Sequence, residues 1–326
     1  MKAIICDQFG PPSTLRYGDL PDPVPGMKEV LINVKACSVN FPDTLIIQGK
    51  YQFKPAFPFS PGGDVAGIIE EVGEGVKHFK PGQKVIAMKP FGGFAEKVSV
   101  NYKTVFPLPP GMNMEVASSF LMTYGTSYHA LKDRANLKEG ETLLVLGAAG
   151  GVGLTAVELG KIMGANVIAC ASTDKKLDLC KTYGADHVIN YSNSDFREEI
   201  KMVTGGNGID VVYDPVGGSM SELALRSLNW GGRHLVVGFA AGDIPRVPWN
   251  LPLLKGCQIV GVFWGSFAQR FPGENMGNTM QIIQWISEGA LKPHISKVYS
   301  LEDAPQAISD VMERKALGKI IVSIDQ

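Results

Sequence analysis

The sequence predicts an α/β protein in which a doubly wound parallel-sheet domain is inserted into a largely β domain. Extended, proline-rich runs fill the first third of the chain, and buried strands alternate with helix-length segments after residue 120. Continuous apolar strands separated by helices are typical of a parallel sheet covered on both faces. We therefore expect one domain from residues 1–120 and 262–326, and an inserted domain from residues 121–261.

The first third of the chain contains short extended runs separated by turn signals such as PGGD, KPGQ and FGG. Glycine and proline between apolar runs indicate tight turns between strands. This pattern predicts a compact β domain with the strands MKAIIC, EVLINVKACSV, DVAGIIEEVG, QKVIAM and AEKVSV.

Six short apolar runs, spaced by helix-length segments, follow in the middle of the chain. Six such strands complete a doubly wound sheet. They are TLLVLG (142–147), NVIACAS (166–172), DHVIN (186–190), IDVVYD (209–214), RHLVVG (233–238) and CQIVGV (257–262). After them we expect a helix over 276–288, a strand near 295–300, a helix opening at Glu302 and the strand KIIVSI, all packed on the first domain.

Composition places the chain among globular proteins that do not act through bulk charge. Its 38 glycines in 326 residues are about 12%, against a usual level of roughly 7%, yet 45% of the residues are hydrophobic. The 31 basic and 32 acidic residues balance, which argues against binding of nucleic acid or membrane surfaces. Five scattered cysteines without a Cys-x-x-Cys pair favour a reducing compartment, and we expect no signal peptide or transmembrane span.

The most informative motif is TLLVLGAAGGVGLTAVELGKIMGA, in which a buried strand leads through a glycine-rich turn into an apolar helix. Such a turn brings backbone amides close to a pyrophosphate at the positive end of the helix. Ala148 stands in place of the first glycine of the usual G-x-G-x-x-G, and a turn without a ligand is the alternative. The strand before it and the helix after it favour a dinucleotide, held by Ala149, Gly150, Gly151, Val152 and Gly153.

The end of the second strand indicates which dinucleotide is bound. An acidic residue there would bind the ribose 2'-hydroxyl of NAD, but this strand ends in Ala171-Ser172-Thr173. Ser172 can donate a hydrogen bond to a 2'-phosphate and Lys176 can supply positive charge, which predicts NADPH. Lys176 as a solvated helix lysine is the alternative, and Asp174 is interpreted as the acid of the next helix's first turn.

Several motifs, in this order, resemble one known family. They are SVNFPDT, SPGGDVAGIIEEVGEGV, FKPGQKV, GAAGGVG, KTYGADHVINY, GIDVVYDPVGG, GGRHLVVG, VGVFWG and GKIIVSI. The chain resembles, over its whole length, the zinc-free, ζ-crystallin-like quinone oxidoreductases of the medium-chain dehydrogenase/reductase superfamily. The resemblance implies a Rossmann dinucleotide-binding domain inserted into a GroES-like catalytic domain.

Zinc-dependent alcohol dehydrogenases of the same superfamily carry metal ligands that this chain lacks. Their Cys-His-Thr-Asp motif corresponds to Asn40-Phe-Pro-Asp43, and their Gly-His-Glu motif to Gly62-Gly63-Asp64. The lobe with clustered cysteines is replaced by KPFGGFAEK (89–97). We therefore expect no metal site, and without a Lewis acid alcohol oxidation is disfavoured relative to reduction of an electron-poor acceptor.

By resemblance, Asn40 and Asp43 lie at the nicotinamide cleft, and Tyr51 lines the mouth of the substrate cleft. An alternative for Asn40 is a turn residue that satisfies its own backbone, and for Asp43 a helix cap. Tyr51 could equally be a surface packing residue. Leu45 stands where many relatives carry a tyrosine, so no tyrosine proton donor is expected at that position.

Further cofactor contacts come from the resemblance and from the sheet edge. The resemblance assigns Thr126 to the nicotinamide side, Tyr191 to the adenosine phosphate and Arg314 to the 2'-phosphate, with a plain helix-end arginine as the alternative. Ligands of open α/β sheets bind at the carboxyl ends of the strands. That rule adds the residues after the fifth and sixth strands, which are Gly238, Phe239, Phe263 and Trp264.

These observations predict an NADPH-dependent, zinc-independent enzyme that reduces quinones or related α,β-unsaturated carbonyls by hydride transfer. One alternative is an enoyl thioester reductase. Another is an NADPH-binding protein with little turnover that serves as a structural or RNA-binding factor, which the balanced charge disfavours. The resemblance further implies a cytoplasmic homodimer, and the balanced charge predicts no nucleic-acid or membrane partner.

Overall fold

The computed structural model describes residues 1–193 and 195–324. The chain forms two compact units, one from Met1–Met122 together with the segment that begins at Pro293, and one from Thr123–Lys292. The last segment returns to the first unit because the C-terminal strand pairs with an N-terminal one, with Ile320 opposite Val39.

The strands are numbered along the chain. They are β1 (Lys2–Ile5), β2 (Arg16–Asp19), β3 (Glu29–Val39), β4 (Asp64–Val72), β5 (Lys84–Met88), β6 (Lys97–Asn101), β7 (Val105–Pro107), β8 (Thr142–Val145), β9 (Asn166–Ala171), β10 (His187–Asn190), β11 (Ile209–Asp214), β12 (Leu228–Val236), β13 (Gln258–Gly261), β14 (Ile295–Ser300) and β15 (Lys319–Ser323).

The helices follow the same scheme, with short helical turns at Pro12–Thr14 and Tyr102–Thr104 and a wider turn at His129–Arg134. They are α1 (Phe41–Ile46), α2 (Met114–Ala117), α3 (Leu121–Tyr128), α4 (Gly151–Ile162), α5 (Asp174–Thr182), α6 (Phe196–Val203), α7 (Gly218–Arg226), α8 (Asn250–Lys255), α9 (Trp264–Arg270), α10 (Pro272–Ser287) and α11 (Ala304–Met312). Within the described residues, none of these helices has the length and apolar character of a membrane span.

The first unit is built on a sheet of order β14-β15-β3-β4-β5-β7, in which β6 also pairs with β3. The long strand β3 is central in this sheet, since it pairs with β15, β4 and β6. Its alternate side chains Val30, Ile32 and Val34 are fully buried in the core. Apart from the parallel pair β14 and β15, the strands run antiparallel. A two-stranded sheet of β1 and β2 completes the largely β domain that the sequence predicts.

The second unit contains a six-stranded parallel sheet of order β10-β9-β8-β11-β12-β13. The strand order reverses next to β8, which is the switch point at which doubly wound sheets bind ligands. Leu144, Ile168 and Val212 are fully buried, as expected for strands covered on both faces. The predicted fold class, a doubly wound domain within a largely β domain, is confirmed.

The structure differs from the sequence interpretation in the segment 262–292. The sequence predicts that this segment belongs to the first domain, whereas α9 and α10 lie in the second compact unit. Partly buried polar contacts hold the segment there: Lys132 Nζ donates to Asn278 Oδ1 of α10 at 2.5 Å, and the Lys292 N–H after α10 donates to Glu158 Oε1 at 2.9 Å. Helix α10 also begins at Pro272 rather than at residue 276, because proline is favoured at the first helical position.

Candidate functional site

The glycine-rich turn between β8 and α4 has glycine positions with no room for a side chain. Gly147 has a φ of +57°, and a Cβ at Gly153 would lie 2.2 Å from the Gly147 carbonyl oxygen. The twelve-residue helix α4 begins directly after Gly150. A phosphate can therefore approach the backbone amides at the positive end of this helix. The predicted residues of the loop and first turn are Ala149, Gly150, Gly151, Val152 and Gly153.

Buried hydroxyl groups tie the start of α4 to α3. Ser127 Oγ donates to Val152 O at 2.9 Å and lies 2.8 Å from both Thr155 Oγ1 and Tyr213 Oη. These contacts fix the part of α3 that carries Thr126, the residue predicted on the nicotinamide side. No local sequence pattern indicates this network, because its members come from three different elements.

The tip of β9 gathers the residues predicted for the adenosine phosphate. Lys176 Nζ donates to Ser172 Oγ at 3.4 Å from the first turn of α5. The Tyr191 N–H donates to Ala171 O at 3.3 Å. The structure thus brings Ser172, Lys176 and Tyr191 together at the carboxyl ends of two neighbouring strands.

Asp174 is the carboxylate that follows this tip in sequence. Its Oδ1 accepts a hydrogen bond from Asn190 Nδ2 at 2.7 Å. Asp174 is also the first residue of α5, where a negative charge interacts favourably with the helix dipole. It therefore has the helix-start position that the sequence interpretation gives it.

A buried carboxylate that the sequence analysis missed organises the ends of β11 and β12. Asp214 Oδ1 accepts the N–H groups of Val216 and Gly217 at 2.9 Å each, while Oδ2 accepts from Ser221 Oγ and lies 3.1 Å from His234 Nε2. Although burial acts to raise it, these partners hold the pKa of Asp214 below its usual value. An aspartate before proline and two glycines, as in DPVGG, is the sequence signal for such a turn.

Gly238 and Phe239 follow β12 and lie beside this turn. A Cβ at Gly217 would lie 2.9 Å from the Phe239 ring, and one at Gly147 would lie 2.9 Å from Val216 Cγ2. The turn after β11 therefore packs against the glycine-rich loop Gly147–Gly153, which we call the phosphate loop, on one side and against Phe239 on the other. The predicted residues Gly238 and Phe239 thus lie at the carboxyl edge of the parallel sheet, beside the same turn that contacts Gly147.

Phe263 and Trp264 have different environments. Trp264 is 7% exposed, its Nε1–H donates to Asn275 Oδ1 at 2.9 Å, and a Cβ at Gly125 would lie 2.7 Å from its ring. Phe263 is 54% exposed. Trp264 is therefore a packing residue of its own unit, while Phe263 has surface to offer a ligand.

Arg314 lies in the first unit, just after α11. It is exposed, has a φ of +57°, and its N–H donates to Val311 O at 3.1 Å. Ser172 and Lys176 belong to the other unit. Its predicted contact with the 2'-phosphate stays a prediction.

In the first unit, Asn40 and Asp43 lie at the start of α1. Asp43 Oδ2 accepts the Asn40 N–H at 2.7 Å, and Oδ1 accepts the Gly62 N–H at 3.1 Å. Asp43 thus has the capping role that the sequence left open, and it joins α1 to the turn before β4. Burial raises the pKa of Asp43 to about 7, although these amides and Lys319 favour its ionised form.

Asn40 and Asp43 belong to a buried charge cluster, which we define as Asn40, Asp43, Asp64 and Lys319. Lys319 Nζ, from β15, donates to Asn40 Oδ1 at 2.6 Å. Asp64 Oδ2 accepts the Met122 N–H at 3.1 Å, and the side chains of Asn40 and Ser38 also favour the ionised carboxyl group. Burial raises the pKa of Asp64 to about 6, against the charge of Lys319. Lys319 is not predicted from the sequence, where its only signal is a lysine that opens an apolar strand.

Tyr51 stands at one end of a continuous aromatic series. Its ring packs edge-on against Phe53, with centroids 5.4 Å apart. Burial, and then the charge of Asp43, raise the pKa of Tyr51, so its hydroxyl stays protonated. The aromatic series runs through contacts of 4.6 to 6.1 Å between the rings of Tyr51, Phe53, Phe91, Phe59, Phe57 and Phe9.

Position 63 has no space for a side chain. A Cβ at Gly63 would lie 2.6 Å from the backbone oxygen of Lys89. An imidazole at this position would therefore require the backbone of the neighbouring segment to move. This is the position that corresponds to the histidine of the zinc-dependent relatives.

Two family descriptions match the chain. Residues 26–110 match the alcohol dehydrogenase GroES-like domain, and residues 151–279 match the zinc-binding dehydrogenase family. The chain is 35% identical over 324 residues to quinone oxidoreductase-like protein 2 of Rattus norvegicus, covering 99% of this chain and 92% of that protein. It is also 35% identical over 326 residues to the quinone oxidoreductase of Rattus norvegicus, covering 99% and 97% of the two chains.

A solved structure has the same fold over the whole chain. It is the quinone oxidoreductase of Escherichia coli complexed with NADPH, with a TM-score of 0.93 and 28% sequence identity. The match covers 99% of this chain and 100% of that one. These similarities confirm the family resemblance drawn from the sequence motifs.

Proposed function

Because the chain belongs to the quinone oxidoreductases of the medium-chain dehydrogenase/reductase superfamily, we propose that it reduces quinones or related α,β-unsaturated carbonyls with NADPH. The observation that carries this proposal is the Ser172–Lys176 pair at the tip of β9, together with a phosphate loop in which Gly153 has no room for a side chain. The pair offers a hydroxyl and a positive charge to a 2'-phosphate.

The second unit has the residues that NADPH requires. The loop amides from Ala149 to Gly153 would hold the pyrophosphate, and Ser172, Lys176 and Tyr191 would hold the adenosine phosphate. Thr126 and Phe239 would lie towards the nicotinamide, which supplies the hydride when bound. Since the loop amides are rigidly placed by close glycine contacts, little ordering is needed on binding.

The first unit supplies the acceptor side of the proposal. Planar rings pack well against aromatic side chains, and the aromatic series has six of them in succession. Lys54 Nζ lies 6.0 Å from the Phe9 ring and Lys89 Nζ lies 5.9 Å from the Phe91 ring. Their positive charges favour an acceptor that becomes anionic as it receives hydride. The aromatic series supports a planar quinone over a small aliphatic enone.

We further propose that the reaction needs no zinc. Asn40 stands where a thiolate ligand would be required, and Gly63 cannot carry an imidazole in this backbone. Within the described part of the chain, no group of three or more histidine, cysteine or acidic side chains could hold a metal ion. Substrate reduction in the presence of a chelator should proceed at the untreated rate.

NADPH consumption against a panel of acceptors tests the proposal. The panel holds para-benzoquinone, phenanthrenequinone, methyl vinyl ketone and crotonyl-CoA, each with NADPH and with NADH. We expect the quinones to give the highest kcat/KM, with NADPH preferred over NADH. Preferential turnover of crotonyl-CoA would replace the proposal with an enoyl thioester reductase, and turnover of no acceptor would leave a binding protein.

We also propose a cytoplasmic homodimer. In the second unit, β13 is the last strand of the sheet, and nearby elements expose large apolar side chains, with Trp249 80% exposed. Exposed apolar patches of this kind mark protein interfaces. Besides Trp249, the exposed apolar side chains of these elements are Trp230, Ile244, Leu253 and Leu254. All five cysteines are buried free thiols, as suits a reducing compartment.

Sedimentation of Leu254→Glu tests the dimer, because a buried charge at an interface is costly. The variant should sediment as a monomer where the parent is a dimer. The matched control is Met27→Glu, at an exposed methionine of the first unit, which should leave the dimer intact. A parent that sediments as a monomer contradicts the proposal.

A further inference from the structure

Lys319 is a lysine in the core of the first unit. The residue is only 5% exposed, and it opens the strand β15, between β14 and β3. Its Nζ donates to Val39 O at 2.9 Å and to Asn40 Oδ1 at 2.6 Å. Lysine is almost never buried to this degree unless it is paired.

The charges around Lys319 explain how an ammonium group can be buried here, but they do not explain what a lysine contributes at this position. The carboxyl groups of Asp43 and Asp64 stabilise the ammonium, while burial disfavours it. A buried ion pair of this kind gives little or no net stability over well-packed apolar residues. A requirement for orientation, rather than stability, is therefore the better reason for a lysine here.

The carboxamide of Asn40 is the group that Lys319 orients. Its oxygen is held tightly, by the bond of 2.6 Å from the ammonium. Its Nδ2 lies 3.5 Å from Ser38 O and 3.3 Å from Ser38 Oγ, and it faces the carboxyl group of Asp64. A reversed carboxamide would place an N–H donor against the ammonium, which has no acceptor. Lys319 on the oxygen side and Asp64 on the nitrogen side thus favour the same orientation, in which Nδ2 is the donor.

We propose that Lys319 is a positioning residue, which fixes the Asn40 carboxamide so that Nδ2 donates to an oxygen of the bound ligand. The oxygen is an acceptor of the kind that both a nicotinamide ribose hydroxyl and a quinone carbonyl provide. The inference rests on the proposed function, since Asn40 acts in it. Lys319 itself touches no ligand and acts through Asn40.

A double-mutant cycle tests the assignment with Lys319→Met, Asn40→Ala and the double variant, together with Lys319→Arg. The matched control is Lys315→Met, at an exposed lysine of the same segment that pairs with Glu313. One measurement is a fluorescence titration with NADPH alone, and the other is kcat and KM for para-benzoquinone. Loss in the titration assigns the oxygen to the ribose, and loss in kcat/KM alone assigns it to the quinone.

One of two quantities depends on Asn40: the affinity for NADPH, or kcat/KM for para-benzoquinone. We expect Lys319→Met to lower that quantity about tenfold, and Lys319→Arg to keep it within about threefold of the parent. In the Asn40→Ala background, Lys319→Met should add less than about twofold, because the two residues act as one unit. Lys315→Met should match the parent. The assignment is overturned if, in both measurements, the loss in the double variant equals the product of the losses in the two single variants.

The pH profile is a readout that a purely structural lysine would not move. Burial lowers the pKa of Lys319 to about 8, against the opposing charges of the groups that face it. These groups are Asp64, Asp43 and Cys37, with His294 supplying its backbone carbonyl at 2.9 Å from the Lys319 N. In the parent, the NADPH affinity or kcat/KM that depends on Asn40 should fall as the pH rises above about 8, since the ammonium is lost.

This alkaline fall should be absent in Lys319→Arg, because a guanidinium stays charged throughout the range. A fall that persists at the same pH in Lys319→Arg overturns the assignment, even if Lys319→Met cannot be recovered folded. If the parent turns over no acceptor, the proposed function fails, and the NADPH titration and its pH profile then decide this inference alone.

Discussion

The phosphate loop and the buried charge cluster achieve rigidity in opposite ways. The loop from Gly147 to Gly153 is contiguous in sequence, and its shape depends on missing side chains, since a Cβ at Gly153 would lie 2.2 Å from a carbonyl oxygen. The cluster joins residues from α1, β4 and β15, and its shape depends on side-chain bonds such as the 2.6 Å contact between Lys319 and Asn40. A backbone-defined site tolerates no added atoms, whereas a side-chain-defined site depends on charge and pH.

The largest expected effect comes from adding one methyl group to the loop. Gly153→Ala should weaken NADPH binding by about 100-fold, or about 3 kcal/mol, because the backbone of the loop must move. A fluorescence titration measures it. Gly277→Ala in α10 is the control, since a Cβ there meets no other atom, and it should bind NADPH like the parent. Near-parental affinity of Gly153→Ala would contradict a backbone-defined site.

The cluster is expected to respond to pH instead. In the folded protein burial raises the pKa of Asp64 to about 6, whereas the unfolded chain titrates near 4. Folding therefore takes up a proton between these values, and the parent loses stability as the pH rises from about 4 to about 6.

Asp64→Asn lacks this contribution and keeps an acceptor for the Met122 N–H. Its free energy of unfolding, relative to the parent, should rise by up to about 3 kcal/mol across the same pH range. Urea unfolding followed by circular dichroism measures the difference. Asp178→Asn, at an exposed carboxylate of α5, is the control. A difference for Asp64→Asn that does not change with pH would argue against a raised pKa.

A side chain at the rim of the loop should have a smaller effect. Lys176→Ala is expected to weaken NADPH binding by about 1 to 2 kcal/mol, close to tenfold, while NADH binding changes little. Lys175→Ala, at the exposed neighbouring lysine, should leave the affinity for both cofactors unchanged. Equal losses for NADPH and NADH in Lys176→Ala would remove Lys176 from the 2'-phosphate site.

The smallest expected effect is at the aromatic series. Phe57→Ala removes ring contacts with Phe9 at 4.6 Å and Phe59 at 5.7 Å. It should raise KM for phenanthrenequinone about threefold, on the scale of one aromatic contact, with methyl vinyl ketone unaffected. Phe271→Ala, at an exposed aromatic of the second unit, is the control. A similar change for both acceptors would indicate that the series does not select planar substrates.

The sequence predicts local features of the fold well where the pattern is long. Strand β3 matches the predicted run EVLINVKACSV at both ends, and β14 matches the predicted span 295–300. The short strands β2 and β7 and the helix α9 have no such pattern, and the sequence misses them. Residues 262–292 lie in the second unit through contacts of Asn278 and Glu158, which no local pattern indicates.

The sequence by itself determines the fold class, the phosphate loop and the Ser172–Lys176 pair, because each depends on residues close together in the chain. Glycine spacing and strand periodicity express local steric rules, which are the same in any protein. Only the tertiary structure decides that Lys319 bonds Asn40 and that Asp214 pairs with His234. These contacts join side chains far apart in sequence, and burial gives their charges properties that they lack in water.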